Sequence, residues 1–147
     1  MRLKTLSCFC LVCVFSAGLV FGGLPTRYHE FAHIGDGGGL STTFLISNPN
    51  DEWTHVAISF FRDDGSPWNL MINGEGNTVY HLDLPPGGMT RLQSDNLGTI
   101  PFGGWARINA GNEVAAQVLF EIEAEGRLVT QAAVESAGPI RSADLFV

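Results

Sequence analysis

Beyond residue 22 the sequence contains no cysteine and no lysine. That stretch therefore offers no disulfide, no thiolate metal ligand and no cysteine nucleophile. It also lacks the Gly-Lys-Ser/Thr core of a phosphate loop. Basic side chains are scarce: six arginines face fifteen acidic residues after position 22, a net charge of −9. Such a surface repels polyanions, which excludes nucleic acid and anionic lipid as electrostatic partners. No Gly-x-Ser-x-Gly string is present, so no nucleophile elbow is indicated. No stretch of this part holds its apolar residues at the spacing of an amphipathic helix.

The first 22 residues differ in character. Arg2 and Lys4 precede an apolar run from Leu6 to Gly23, with Ser16, Ala17, Gly18, Gly22 and Gly23 near its end. This is the layout of a secretory signal peptide, with cleavage after Gly18 or Gly22. The expected organisation is a signal peptide over 1–22, a β domain over 23–139 and a tail or edge strand over 140–147. The expected location is secreted or periplasmic, with no stable membrane insertion after cleavage. The alternative is a retained anchor, since roughly 18 apolar residues are borderline for crossing a bilayer. Cys8, Cys10 and Cys13 all lie inside the apolar run. Cys13 follows Val12 rather than a small residue, which argues against a lipid anchor.

The remainder alternates with a period of two. Tyr28 to Ile34 reads as a first strand, and Asp36 to Gly39 as a flexible turn. Leu40, Thr42, Phe44 and Ile46 then share one face, opposite Ser41, Thr43 and Ser47. Asn48 to Asp51 closes that strand, because proline cannot donate to a ladder. Val56, Ile58 and Phe60 oppose His55, Ala57 and Ser59. Asp63 to Pro67 is a hairpin signal, since Asp-Gly supplies positive φ. Trp68, Leu70 and Ile72 alternate in the return strand, and Asn73 to Asn77 turns the chain. Tyr80, Leu82 and Leu84 alternate with His81 and Asp83, and Leu84 to Gly88 leads into Met89 to Gln93. A longer loop reaches Gly104. A strand runs to Asn109, and Ala110 to Asn112 reads as a turn. Val114, Ala116, Val118, Phe120 and Ile122 point inward, with Gln117, Glu121 and Glu123 outward. Ala124 to Arg127 turns the chain into a last strand, Leu128 to Glu135. About nine short strands with regular turns predict an all-β, antiparallel two-sheet sandwich, immunoglobulin-like in type. A jelly roll or small barrel is the alternative.

The strings FAHIGDGGGLSTTFLISNPN, DDG, LPPGG and GWARI, spread from Phe31 to about Pro139, resemble an uncharacterised all-β module of exported bacterial proteins. In that module a DGGG turn precedes a Thr-rich strand ending in Asn-Pro, and a GWAR-type strand lies in the second half. The module is often found in tandem or joined to other extracellular domains, whereas this chain carries one copy. The resemblance implies a β-sandwich and an extracytoplasmic location, and it implies no catalytic residues.

Candidate chemistry is thin, and no cofactor or metal is expected. Gly35 to Thr42 is glycine-rich, but a phosphate site needs a helix N-terminus behind it, and a strand follows here. His29 and His33 stand four apart, roughly 13 Å along a strand, too far to chelate together. His55 and His81 fall on outward faces of different strands and read as solvated or cross-strand histidines. Asp36, Asp51, Glu52, Asp63 and Asp64 lie in loops without the spacing of a calcium loop. Glu121 and Glu123 share an outward face, read as solvated. The aromatic residues are the most informative feature. Trp53, Trp68 and Trp105, the last sharing a face with Arg107, are the expected contacts for a protein or glycan ligand. The expectation is an exported non-enzymatic module for binding or adhesion. The alternatives are a carbohydrate-binding module using those tryptophans, or a small hydrolase with a site assembled in three dimensions.

Overall fold

The computed structural model describes residues 26–137. The expected signal segment and the expected tail over 140–147 lie outside the described residues. Among the described residues every regular element is a strand, and no helix is long and apolar enough to cross a membrane. The strands are β1 (Thr26–Asp36), β2 (Leu40–Ser47), β3 (Thr54–Arg62), β4 (Leu70–Ile72), β5 (Glu75–Asn77), β6 (Val79–Leu84), β7 (Met89–Gln93), β8 (Phe102–Ala124) and β9 (Arg127–Glu135).

The 23-residue β8 organises the rest. Its first half pairs with β3 on one flank and β1 on the other, and its second half pairs with β2 and β9. β6 extends the sheet beyond β3, and β7 extends it beyond β2. All these pairings are antiparallel, as the alternation of polar and apolar positions predicts. The ladder does not separate into two independent sheets, because β8 runs through both halves. It forms one curled sheet of seven strands, with β4 and β5 as a separate two-stranded hairpin. An isolated bridge between Glu30 and Ala137 draws the end of β9 back toward β1.

The turn expected at Ala110 to Asn112 does not form. The backbone stays extended there: the Thr54 hydroxyl accepts from the N–H of Asn112 at 2.8 Å. Even-numbered positions face the core through the body of the strand, where Gly104, Ala106, Ile108, Val114, Ala116 and Val118 are all buried, but Ile122, expected inward, is 43% exposed near its end. The segment Asn73 to Asn77, expected as a turn throughout, contains only a tight turn at Asn73 and Gly74 before β5 begins. The Asp95 carboxylate accepts from both of those N–H groups at 2.7 Å.

The core lies inside the curl. Phe44 from β2 meets Phe31 from β1 edge-on, with ring centroids 6.0 Å apart. It also meets Phe60 from β3 at 5.6 Å. Ile34, Ile46, Val56, Ile58, Ile108 and Val118 fill the space around these rings. Each of these positions is apolar in a strand whose neighbours face outward, so burial follows from the period of two.

The DGGG loop between β1 and β2 needs its glycines both for backbone conformation and for space. Gly37, Gly38 and Gly39 all have positive φ, and a Cβ on Gly39 would stand 2.3 Å from the carbonyl oxygen of Glu123.

Candidate functional site

The outward face of the β6–β3–β8–β1 half carries the densest set of chemically distinct side chains. The register sets Phe61 opposite Trp105, and the two rings stack with centroids 4.1 Å apart and planes 15° apart. The Arg107 guanidinium lies 5.3 Å from the Trp105 ring, within cation–π range. Arg107 also donates through Nε and Nη2 to Oε1 of Glu30, at 3.0 and 2.8 Å. Glu30 sits there because β1 pairs it directly with Arg107. The result is a half-exposed aromatic shelf beside a fixed guanidinium, on an open sheet face.

Further along the same face, His55 and His81 belong to neighbouring strands at diagonal positions. Nδ1 of His55 lies 2.9 Å from Oδ1 of Asp83, and its Nε2 lies 3.1 Å from Nδ1 of His81. A carboxylate only accepts, so Nδ1 of His55 donates to Asp83, and one proton bridges Nε2 of His55 and Nδ1 of His81. The cross-strand reading of these histidines agrees with this placement. Their link to Asp83 rests on register and was not legible in the chain.

The expected tryptophans do not come together. Trp105 and Arg107 form the shelf just described. Trp68 is 5% exposed and presents no face to a ligand. Its ring lies over Gly104, where a Cβ would meet Cε3 of Trp68 at 2.8 Å, so the missing side chain makes room for the indole. Trp53 is 65% exposed. It stands just before β3, at the opposite end of that strand from Phe61, roughly 25 Å away along an extended backbone. Trp53 and Trp105 thus cannot form one platform.

Several other readings change with the geometry. The three glycine N–H groups of the DGGG loop are consumed internally. Gly37 donates to Leu40 O, Gly38 to Gly98 O and Gly39 to Oδ1 of Asn96, so the loop offers no nest to an anion. The Asp64 carboxyl is held below its usual value by the Ser66 hydroxyl and N–H, which is turn chemistry as expected. Glu121 is not solvated: it is 8% exposed. Its Oε2 accepts from Thr43 and Gln93, its Oε1 accepts from Gln131, and Arg91 lies 3.4 Å away. Short side chains on β2 leave room for glutamines from the flanking strands to close over it. Glu123 remains exposed.

Two shallow depressions lie elsewhere. One, of about 310 Å³, is apolar and lined by Leu45, Met89, Ala115 and Gln117. The other, of about 340 Å³, is polar and lined by Ser41, Gln93, Asp95, Asn96 and Glu123. The Asp95 carboxylate there is already bonded to the turn at Asn73. Among the described residues no three His, Cys, Asp or Glu side chains converge on a point that would enclose a metal ion.

His29 is a structural histidine, 1% exposed. Its Nε2–H donates to Val114 O at 2.8 Å, and its Nδ1 accepts from the Ser136 hydroxyl at 2.7 Å. Burial lowers its pKa, partly offset by the bond to Val114. The unfolded chain therefore takes up this proton more readily than the folded one. Stability is full above about pH 6.5, the ordinary histidine value, and is lost as pH falls through that value toward the lowered one. Denaturant midpoints measured from pH 8 to pH 5 should decline below about pH 6.5, and His29→Gln should flatten that segment. An unchanged decline in the variant would assign it to other groups.

The fold is thus that of an all-β protein built on a curled antiparallel sheet. It is similar to the crystal structure of Thermotoga maritima 1070, with a TM-score of 0.57 and 15% sequence identity over 77% of this chain and 94% of that one. At that identity the likeness is one of fold. No protein-family model matches the sequence, and no curated protein matches it.

Proposed function

We propose that this protein is an exported, non-enzymatic binding module that takes its ligand on the outward face of β6–β3–β8–β1. The observation that carries the reading is the stacked Trp105–Phe61 pair with Arg107 and Glu30 fixed beside it. Outward positions of a one-sided sheet ordinarily carry solvated polar residues. Here the register instead assembles a flat aromatic surface and a directed cation, the combination enriched at recognition hot spots. Export is supported by Arg2, Lys4 and the apolar run to Gly23. The finer architecture, an immunoglobulin-like pair of stacked layers with a jelly roll or small barrel as alternatives, is supported by Phe31 and Phe60 packing on Phe44 across the curl.

The ligand is a protein or a glycan, and the two are separated by experiment. The purified chain is screened on a glycan array and, in parallel, used for affinity capture from culture supernatant. Trp105→Ala is expected to weaken whichever interaction is found by at least tenfold, on the scale of a hot-spot truncation of about 2 kcal/mol. Trp53→Ala should leave it unchanged. Array hits sensitive to Trp105 identify a carbohydrate-binding module, and captured protein sensitive to Trp105 identifies an adhesive one. Binding that survives Trp105→Ala and Arg107→Ala would overturn the placement of the site.

A further inference from the structure

We infer that His55 and His81 form a solvent-facing site for a divalent transition metal ion, with Asp83 orienting the first of the two rings. The ring centroids are 5.3 Å apart and the planes 18° apart. Nε2 of His55 and Nδ1 of His81 are 3.1 Å apart. The centroid separation equals that nitrogen contact plus about one ring radius at each end. The rings therefore meet edge to edge in nearly one plane, and the two nitrogens point at each other.

A shared proton now occupies the space between them. Two imidazole nitrogens bound to one tetrahedral zinc ion at about 2.0–2.1 Å stand roughly 3.3–3.4 Å apart. The observed separation is close to that bite, and a turn of roughly 35° by each ring lets both lone pairs converge on an ion lying to one side of the nitrogen–nitrogen line. With both rings neutral, the bridging proton goes to Nε2 of His81, leaving the Nδ1 lone pair turned toward the metal. No proton is gained or lost by the pair.

Asp83 supplies the second element of the site. A metal-bound histidine almost always donates its other ring N–H to a carboxylate or carbonyl, which fixes tautomer and orientation. His55 already does so, to Oδ1 of Asp83 at 2.9 Å. Ala57 lies directly opposite His81 and is too small to cover the pair. The side chains of His55 and Asp83 are 57% and 69% exposed, so the remaining coordination positions are open to water or to a donor atom of a bound partner. Imidazole pairs suit zinc, copper and nickel rather than calcium or magnesium. This site is independent of the Trp105 shelf, although both lie on one face.

The test is a zinc titration of the full chain at micromolar concentration. Cys8, Cys10 and Cys13 are first alkylated so that no thiol competes for zinc, and the titration is followed through the imidazole Cε1–H resonances. The resonances of His55 and His81 are expected to shift together and to saturate near one equivalent, with those of His29 and His33 unmoved. His81→Gln should weaken the response at least tenfold, and Asp83→Asn by about tenfold or more, the usual cost of losing such an orienting partner. His33→Gln should have no effect. All three positions are exposed, so the variants keep the fold. Millimolar affinity, or an affinity indifferent to His81→Gln, would overturn the site. Magnesium producing the same shifts would also overturn it.

Discussion

Phe44→Ala is expected to cost the fold about 3–5 kcal/mol, the range for a phenylalanine removed from a packed core. Phe44 is fully buried and touches Phe31 and Phe60 at the same time. Those three rings come from β2, β1 and β3, which have no direct ladder between β2 and β3. Hydrogen bonds through β8 set the order of the strands, but the rings hold the curl closed. Alanine leaves a cavity where the two halves meet. The neighbours cannot collapse into it, because each is fixed by its own ladder. A denaturant melt of the full chain reads the effect as a lower midpoint with an unchanged slope. Val129→Ala is the control: Val129 is 64% exposed on β9, and its loss should cost less than about 0.5 kcal/mol. A Phe44 variant within about 1 kcal/mol of the parent chain would mean that the rings do not carry the closure.

Gly104→Ala should be nearly as damaging, at the upper end of the roughly 1–3 kcal/mol typical of overpacking. A Cβ there would stand 2.1 Å from the carbonyl oxygen of Phe61 and 2.8 Å from the Trp68 ring. The first contact is backbone, and β3 is held there by its ladder to β8 and by the bonds from Trp68 N–H to Phe60 O and from Arg62 N–H to Ser66 O. The methyl group therefore displaces Trp68 or pries apart the ladder. Tryptophan emission should shift to the red as the Trp68 ring gains water. Gly111→Ala separates this from a generic glycine effect. Its backbone has no positive φ, and its nearest neighbour is 3.7 Å away, so alanine should be neutral or stabilising by about 0.4–1 kcal/mol. Equal melting of the two variants would remove the steric argument.

The strand content was largely legible in the chain. The alternation places Val56, Ile58 and Phe60 inward and His55 outward, and the first three are fully buried while His55 is exposed. The misreadings cluster where local chemistry and pairing disagree. Ala110-Gly111-Asn112 has the composition of a turn, yet Thr54 from a distant strand supplies the partner that keeps it extended. Glu121 has the look of a solvated carboxylate, yet its partners Gln93 and Thr43 lie 28 and 78 positions away. Trp68 is as large and as amphipathic as Trp53, but it precedes the buried Leu70 and Ile72 and fits the gap at Gly104, whereas Trp53 lies before β3 and is exposed.

Side-chain alternation is a property of the extended backbone itself, so the residues alone dictated an all-β protein, the inward positions at the centre of its strands, and the glycine-dependent turn at Asp36. Which strands became neighbours was settled by the folded whole, because register is a sum over many weak contacts between segments far apart in the chain. That sum set Trp105 on Phe61, His81 against His55, and Gln93, Gln131 and Thr43 around Glu121. It is also why the surface proposed for binding appears only once β8 has been paired along both of its edges.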